Sequence, residues 1–269
     1  MSILIAKADG TLEPFDERKL VTSLSRSGAD TAAAYKIARD ITATLQPGTT
    51  TAEIYRRAFM HLREHKRGVA ARYSLKRAIL DFGPSGFPFE SYLAKLFEAE
   101  GWATRVDQII QGRCVEHEVD VVMTKGEETV YVEAKFHNTA GFKTDLKTVL
   151  YVMARLEDIG KGRGMVVTNT KFTTPALQYS SCRGLELLGW EYPQGKNLHD
   201  RIDAAKLYPV TALTTLGRRE KMSLLSERVV LCRALSEDTR ALATAGITGK
   251  KADEVLREVG SLCIPGTAI

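Results

Sequence analysis

The stretch HEVDVVMTKGEETVYVEAKFHN, residues 117–138, decides how the chain is read. Two apolar, β-rich segments flank a Lys-Gly-Glu turn, the pattern of two strands bounded by turn residues. Charges interrupt them at few points: Asp120 in the first segment, Glu133 and Lys135 in the second. Residues two apart on a strand project to one face, so Glu133 and Lys135 point together while Ala134 faces away. If the strands pair as a hairpin, Asp120 comes near Glu133 at one end of the sheet. A carboxylate pair with an ammonium beside it results.

That grouping suits phosphodiester hydrolysis. Two hard oxygen ligands can hold Mg²⁺ or Mn²⁺, ions that retain waters and bind phosphate oxygens, while a lysine orients the attacking water or stabilises transition-state charge. An acid-x-Lys tripeptide also occurs at Glu17–Lys19, Glu64–Lys66 and Asp145–Lys147. Those three fall in predicted helices, where residues two apart do not share a face. Spacing alone leaves a second reading open at Glu133 and Lys135, that of a half-exposed strand with surface charge.

Outward from this hairpin the pattern is helix, strands, helix, strand, helix, strand, which predicts an α/β layer structure. FPFESYLAKLFEAEGW places Phe89, Leu93, Leu96 and Phe97 along one helix face, with Glu90 at the positive end of its dipole. GMVVTNT and GLELLGW read as buried strands, with TTPALQYSSCR helical between them. Phe89-Glu90, Asp120 in EVDVV, and Glu133 and Lys135 in VEAK follow one another as in the Mrr-like branch of the PD-(D/E)xK restriction endonucleases, which residues 86–205 resemble. GMVVTNTKFTTPALQY is similar to that family's next strand and helix. The resemblance implies a metal-dependent DNA endonuclease with Asp120 and Glu133 as metal ligands, Lys135 as catalytic lysine and Glu90 as accessory acid. Phe136 departs from it, because several relatives carry a polar residue there. Lys143 and Lys147, expected on the next helix, are candidate phosphate contacts or a solvated face, and His117 is expected to be structural or exposed rather than a ligand.

The first 82 residues read as a short hairpin around Asp9-Gly10 and then four helices. Asp16 is placed to cap the first helix, Thr50 and Glu53 to form a capping box on the third, and VAARYSLKRAILDFG to make the fourth. IAKADGTLEPFDERKL, with the later VAARY, resembles the ATP-cone, a nucleotide-sensing domain. By that resemblance Lys7 and Lys19 meet nucleotide phosphates, Glu13 lines the site, and Thr51 and Glu53 join it. Ala8 departs from the family's arginine. No phosphate-cradling GxxxxGK loop occurs, so ATP or dATP is expected as an effector rather than a fuel.

GPSGFP, residues 83–88, is expected to separate domains, because its glycines and prolines stop a helix. The expected division is 1–85 ATP-cone (α+β), 86–207 nuclease core (α/β, mixed sheet) and 208–269 a small helical domain. In the tail, ALTTLGRREKMSLLSERVVLCRALS and KKADEVLREVGSLC read as helices. LATAGITGKKADEVL partly resembles a helix-hairpin-helix, with Thr248 where a second glycine usually stands. A docking or dimerisation module is the other reading.

With 269 residues, 44% hydrophobic and 26% charged, the chain is long enough for two or three folded domains and is neither fibrous nor disordered in composition. No apolar run is long enough to cross a bilayer and no secretory signal opens the sequence, so a cytoplasmic address without membrane contact is expected. Four scattered cysteines make no CxxC pair and are expected to be reduced. The net charge of +5 permits a polyanionic partner. The leading expectation is a nucleotide-regulated, divalent-metal-dependent DNA endonuclease, restriction-like or acting on DNA structure in repair, working as a homo-oligomer. The competing expectation is a nucleotide-controlled DNA-binding regulator that keeps the nuclease fold as a scaffold.

Overall fold

The computed structural model describes residues 3–7 and 10–263. Asp9 of the expected first turn, and Ala8, lie outside them; Gly10 has the positive φ, 83°, that such a turn asks of its second residue. Strands β1 (Leu4–Ala6) and β2 (Leu12–Pro14) pair antiparallel, and five helices follow: α1 (Glu17–Arg26), α2 (Thr31–Ala43), α3 (Thr51–His65), α4 (Arg67–Tyr73) and α5 (Leu75–Leu80). Asp16 caps α1 by accepting from the Arg18 amide at 2.9 Å, and Asp30 caps α2 from Ala33 at 2.8 Å. Only half of the capping box at α3 forms. Thr50 accepts from the Glu53 amide at 3.1 Å, but the Glu53 carboxylate turns to Arg57 one turn on, where a full positive charge is the stronger partner. The single helix expected over 69–83 breaks at Ser74, whose hydroxyl bonds the Ala71 carbonyl.

Next come α6 (Phe87–Ala99), β3 (Ala103–Gln111), β4 (Glu116–Lys125), β5 (Glu128–Lys135), β6 (Lys143–Thr144), α7 (Leu146–Ile159), β7 (Arg163–Thr168), β8 (Lys171–Phe172), α8 (Thr174–Arg183), β9 (Glu186–Leu188) and α9 (Leu198–Ala205). The main sheet has the order β3-β4-β5-β7-β9; β3, β4 and β5 run antiparallel to their neighbours, and β5, β7 and β9 run parallel. It is therefore mixed, with α6 on one face and α7 on the other. Val130, Val132 and Ala134 join the core that contains Phe89, Leu93 and Phe97 of α6, whereas Tyr131 packs toward Ile159 of α7. Lys143 departs from the helical expectation: it pairs with Lys171 in the short β6–β8 ladder, and α7 starts after it at the Asp145 cap.

The tail holds a short 3₁₀ turn (Val210–Ala212), then α10 (Arg218–Ser226), α11 (Ala234–Glu237), α12 (Arg240–Thr244) and α13 (Gly249–Cys263). The continuous helix expected through VVLCRALS does not form. Val229–Cys232 runs as an extended strap beside Tyr208–Val210, with Val210 N–H donating to Val230 at 3.0 Å and Cys232 N–H to Tyr208 at 2.9 Å. Adjacent β-branched valines favour that backbone, and Val230, Leu231 and Cys232 are buried there. All four cysteines are free thiols.

Two hydrophobic cores meet inside α4: Val69 and Ala70 belong to the N-terminal core, and Ala71 opens the larger one, which runs through α5, α6 and the sheet to Leu262. Phe82 and Phe89 lie on either side of GPSGFP and are both buried in this larger core, so that segment is a bend within packed structure. At Gly68 a Cβ would come within 3.3 Å of the Ser261 carbonyl, so glycine lets α13 close onto α4. No helix among the described residues is long and apolar enough to cross a membrane.

Candidate active site

The charges in the opening hairpin sit where β4 and β5 part. Their ladder runs from Lys125↔Glu128 to Val121↔Val132 and then stops. At the next position the Asp120 side chain takes over the pairing, accepting the Ala134 amide at 2.6 Å. Glu133 is directly opposite Asp120 in that register and is buried, 4% exposed. Its Oε1 lies 2.6 Å from Lys135 Nζ and its Oε2 2.6 Å from Arg155 of α7. Lys135, 39% exposed, reaches from this buried acid toward solvent. Phe136 turns to the opposite face and packs on Phe89 and Phe82, which accounts for an apolar residue after the lysine.

Burial, then the neighbouring Glu133 charge, pushes Asp120 up to about 6. Glu90, in the first turn of α6, rises to about 7 through burial, then through Asp120 and Asp107. Burial is the first cause in both, and repulsion between neighbouring acids adds to it. Among the described residues no three His, Cys, Asp or Glu side chains form a ready metal-holding group. Asp120 and Glu133 offer two carboxylates, which fits a hard ion that keeps much of its water.

Three participants were not anticipated. Asp107 sits opposite Asp120, between the pairs Val106↔Val121 and Gln108↔Val119, at φ 51°, and its carboxyl helps to raise Glu90. An aspartate tolerates that left-handed backbone better than most residues. Arg155, only 5% exposed, clamps Glu133, and Tyr151 one turn earlier accepts from its second nitrogen and stacks 4.5 Å from its guanidinium. A buried arginine inside an amphipathic helix was the available signal. His117, in contrast, binds Asp158 at 2.8 Å, and that carboxylate also accepts the Cys114 amide at 2.8 Å, closing the β3–β4 turn.

The candidate nucleotide residues divide. The Ala6↔Thr50 bridge lays the end of β1 against the start of α3, which brings Lys7, paired with Glu13 at 2.7 Å, beside Thr51. Tyr55, one turn beyond Thr51, lines a cleft together with Lys19. Glu53 lies on the opposite face of α3 from Thr51, where Arg57 ties it to Thr44 at the end of α2. Lys143 and Lys147 are both exposed.

Residues 84–191 match the restriction endonuclease family Mrr_cat, residues 3–81 the ATP cone domain, and residues 208–263 the AF1548-like C-terminal domain. A protein of Archaeoglobus fulgidus is 36% identical over 170 residues, spanning 62% of this chain and 97% of its own length. The crystal structure of AF1548, a protein of unknown function, superposes with a TM-score of 0.57 at 33% identity, covering 66% of this chain and 98% of that one. The DNA modification-dependent restriction endonuclease AspBHI overlaps only loosely, at TM-score 0.33 and 14% identity over 71% of this chain and 40% of that one. The chain belongs to the AF1548-like family, and in it an ATP cone, a restriction endonuclease domain of the Mrr kind and a helical C-terminal domain follow one another.

Proposed function

We propose that the protein is a nucleotide-regulated, metal-dependent DNA endonuclease. The observation that carries the reading is the fork between β4 and β5, where Asp120 and Glu133 face each other with Lys135 2.6 Å from Glu133. A Mg²⁺ or Mn²⁺ ion held by Asp120 and Glu133 would supply positive charge to the phosphate oxygens. The chain does the rest. Arg155 fixes Glu133 in one orientation, and Lys135, exposed at its tip, stabilises charge on the attacked phosphate and orients the water. Glu90, at about 7, is poised to hold or release a proton beside the carboxylate pair. Lys143 and Lys147, exposed beyond the end of β5, are the proposed phosphate contacts. Cleavage of both strands by one site per chain calls for two protomers. ATP or dATP acts as effector through the ATP cone.

The test is purified protein on methylated and unmethylated plasmid with Mg²⁺ or Mn²⁺, with and without ATP or dATP. Cleavage by the parent protein, and its loss in a Lys135→Ala protein that still shifts the same DNA, supports the reading. Intact plasmid under every condition, with DNA still bound, would favour the scaffold-regulator alternative.

A further inference from the structure

A cleft of 520 Å³ opens between the ATP cone and the restriction endonuclease domain, a volume suited to one nucleotide-sized ligand. Its sensor wall carries five cations, Arg18, Lys19, Arg26, Arg72 and Lys76, and the stacked rings of Tyr55 and Tyr73, 4.9 Å apart. The opposite wall belongs to the endonuclease domain: Trp190, Glu191 and His199. Lys76 bridges the two walls, its ammonium 5.8 Å from the centre of the Trp190 ring. Against the five cations stand two carboxylates, Asp16, whose side chain caps α1, and Glu191, paired with Lys171 at 3.2 Å. Cations gathered around aromatic faces suit a ligand with several phosphates and a base.

From this geometry we infer that the effector nucleoside triphosphate is bound by both domains, with Trp190 and Glu191 of the endonuclease domain forming the far wall of the sensor's site. The inference rests on the reading of the ATP cone as a nucleotide sensor and adds where its occupancy is felt. Trp190 is not remote from the chemistry. Its amide donates to the Thr170 carbonyl at 3.0 Å, and the adjacent Asn169 clamps His137 from both sides, accepting its amide at 2.9 Å and donating to its carbonyl at 2.7 Å. His137 lies two residues past Lys135, and Lys135 pairs with Thr168 in the β5–β7 register. A ligand that presses on Trp190 therefore acts on the strand ends that carry the site.

The chain has two tryptophans, so the full-length Trp102→Phe protein reports from Trp190 alone. ATP and dATP are titrated into it without added metal while emission is followed, and affinity is measured independently by equilibrium dialysis. The expected result is a saturable change in Trp190 emission with the same Kd as dialysis. Glu191→Lys exchanges repulsion for attraction at an exposed position and is expected to tighten binding by at least about threefold, a sign that loss of structure would not produce. Lys76→Ala is expected to weaken it by about tenfold. Nucleotide that binds by dialysis but leaves Trp190 emission flat, with Glu191→Lys within about twofold of the parent, would overturn the two-domain site while the sensor reading stood. No binding of either nucleotide by the parent chain would remove the sensor reading and this inference with it.

Discussion

Replacing Arg155 by methionine tests the physical basis of the site more sharply than removing a catalytic group. Glu133 and Arg155 are 4% and 5% exposed and 2.6 Å apart, so each ion exists in the interior because the other is there. Taking away one partner of such a pair costs about 3–5 kcal/mol, since it strands a buried charge. Lys135 still neutralises one oxygen of Glu133 from its half-exposed position, which trims the expected loss to about 2–4 kcal/mol. For a cooperative unit of this size that corresponds to about 5–15 °C in Tm. Urea unfolding without metal, followed by far-UV circular dichroism and tryptophan emission, measures it and shows whether one transition or several occur. The companion variant Glu133→Gln should cost a similar amount by stranding Arg155. The double variant should be much more stable than the sum of the singles predicts, because no unpaired ion remains. A loss below about 1 kcal/mol for Arg155→Met, or simple additivity in the double variant, would refute the clamp.

Further outcomes follow from other buried charges. Asp120 and Glu90, raised to about 6 and about 7, keep protons that the unfolded chain releases near pH 4, so without metal the stability falls as pH rises from about 4 to 7. Mn²⁺ should therefore raise Tm at about pH 8 and scarcely at about pH 5, where protons compete for the carboxylates. Thermal melts of the parent and of Asp120→Asn check this, and an equal Mn²⁺ shift in both proteins would contradict the assignment of Asp120 as a ligand. Glu258 of α13 is buried and accepts the amides and hydroxyls of both Thr214 and Thr215 at 2.6–2.9 Å. Glu258→Ala should cost about 3 kcal/mol by leaving those donors unsatisfied, read as a lower urea midpoint with DNA binding tested separately. Asp158, held well below the usual carboxylate range by the Cys114 side chain, then by His117 and two backbone amides, contributes stability above the unfolded value that is withdrawn as pH falls further. Asp158→Asn should lower Tm at neutral pH and flatten the acid side of the stability profile.

Local rules in the sequence were enough for the hairpin, the helix that precedes it and the order of the motif. The alternation in residues 117–138 specifies a hairpin with Asp120, Glu133 and Lys135 on one side, and the cap at Asp16 follows from side-chain chemistry within two residues. Where the sequence misled, a distant partner outbid a local preference: Arg57 took the Glu53 carboxylate from its capping role, and burial drew Val229–Cys232 out of the helix. Arg155 and Asp107 stayed hidden for the same reason. Their roles depend on residues 22 and 17 positions away, respectively Glu133 and Glu90, which no periodicity links. Sequence alone thus determined which side chains a strand presents, because that depends on backbone alternation. Only the tertiary fold decided which acids are buried, which ions meet them and which domain walls face each other across the cleft, because charge burial and its compensation are set by packing between elements far apart in the chain.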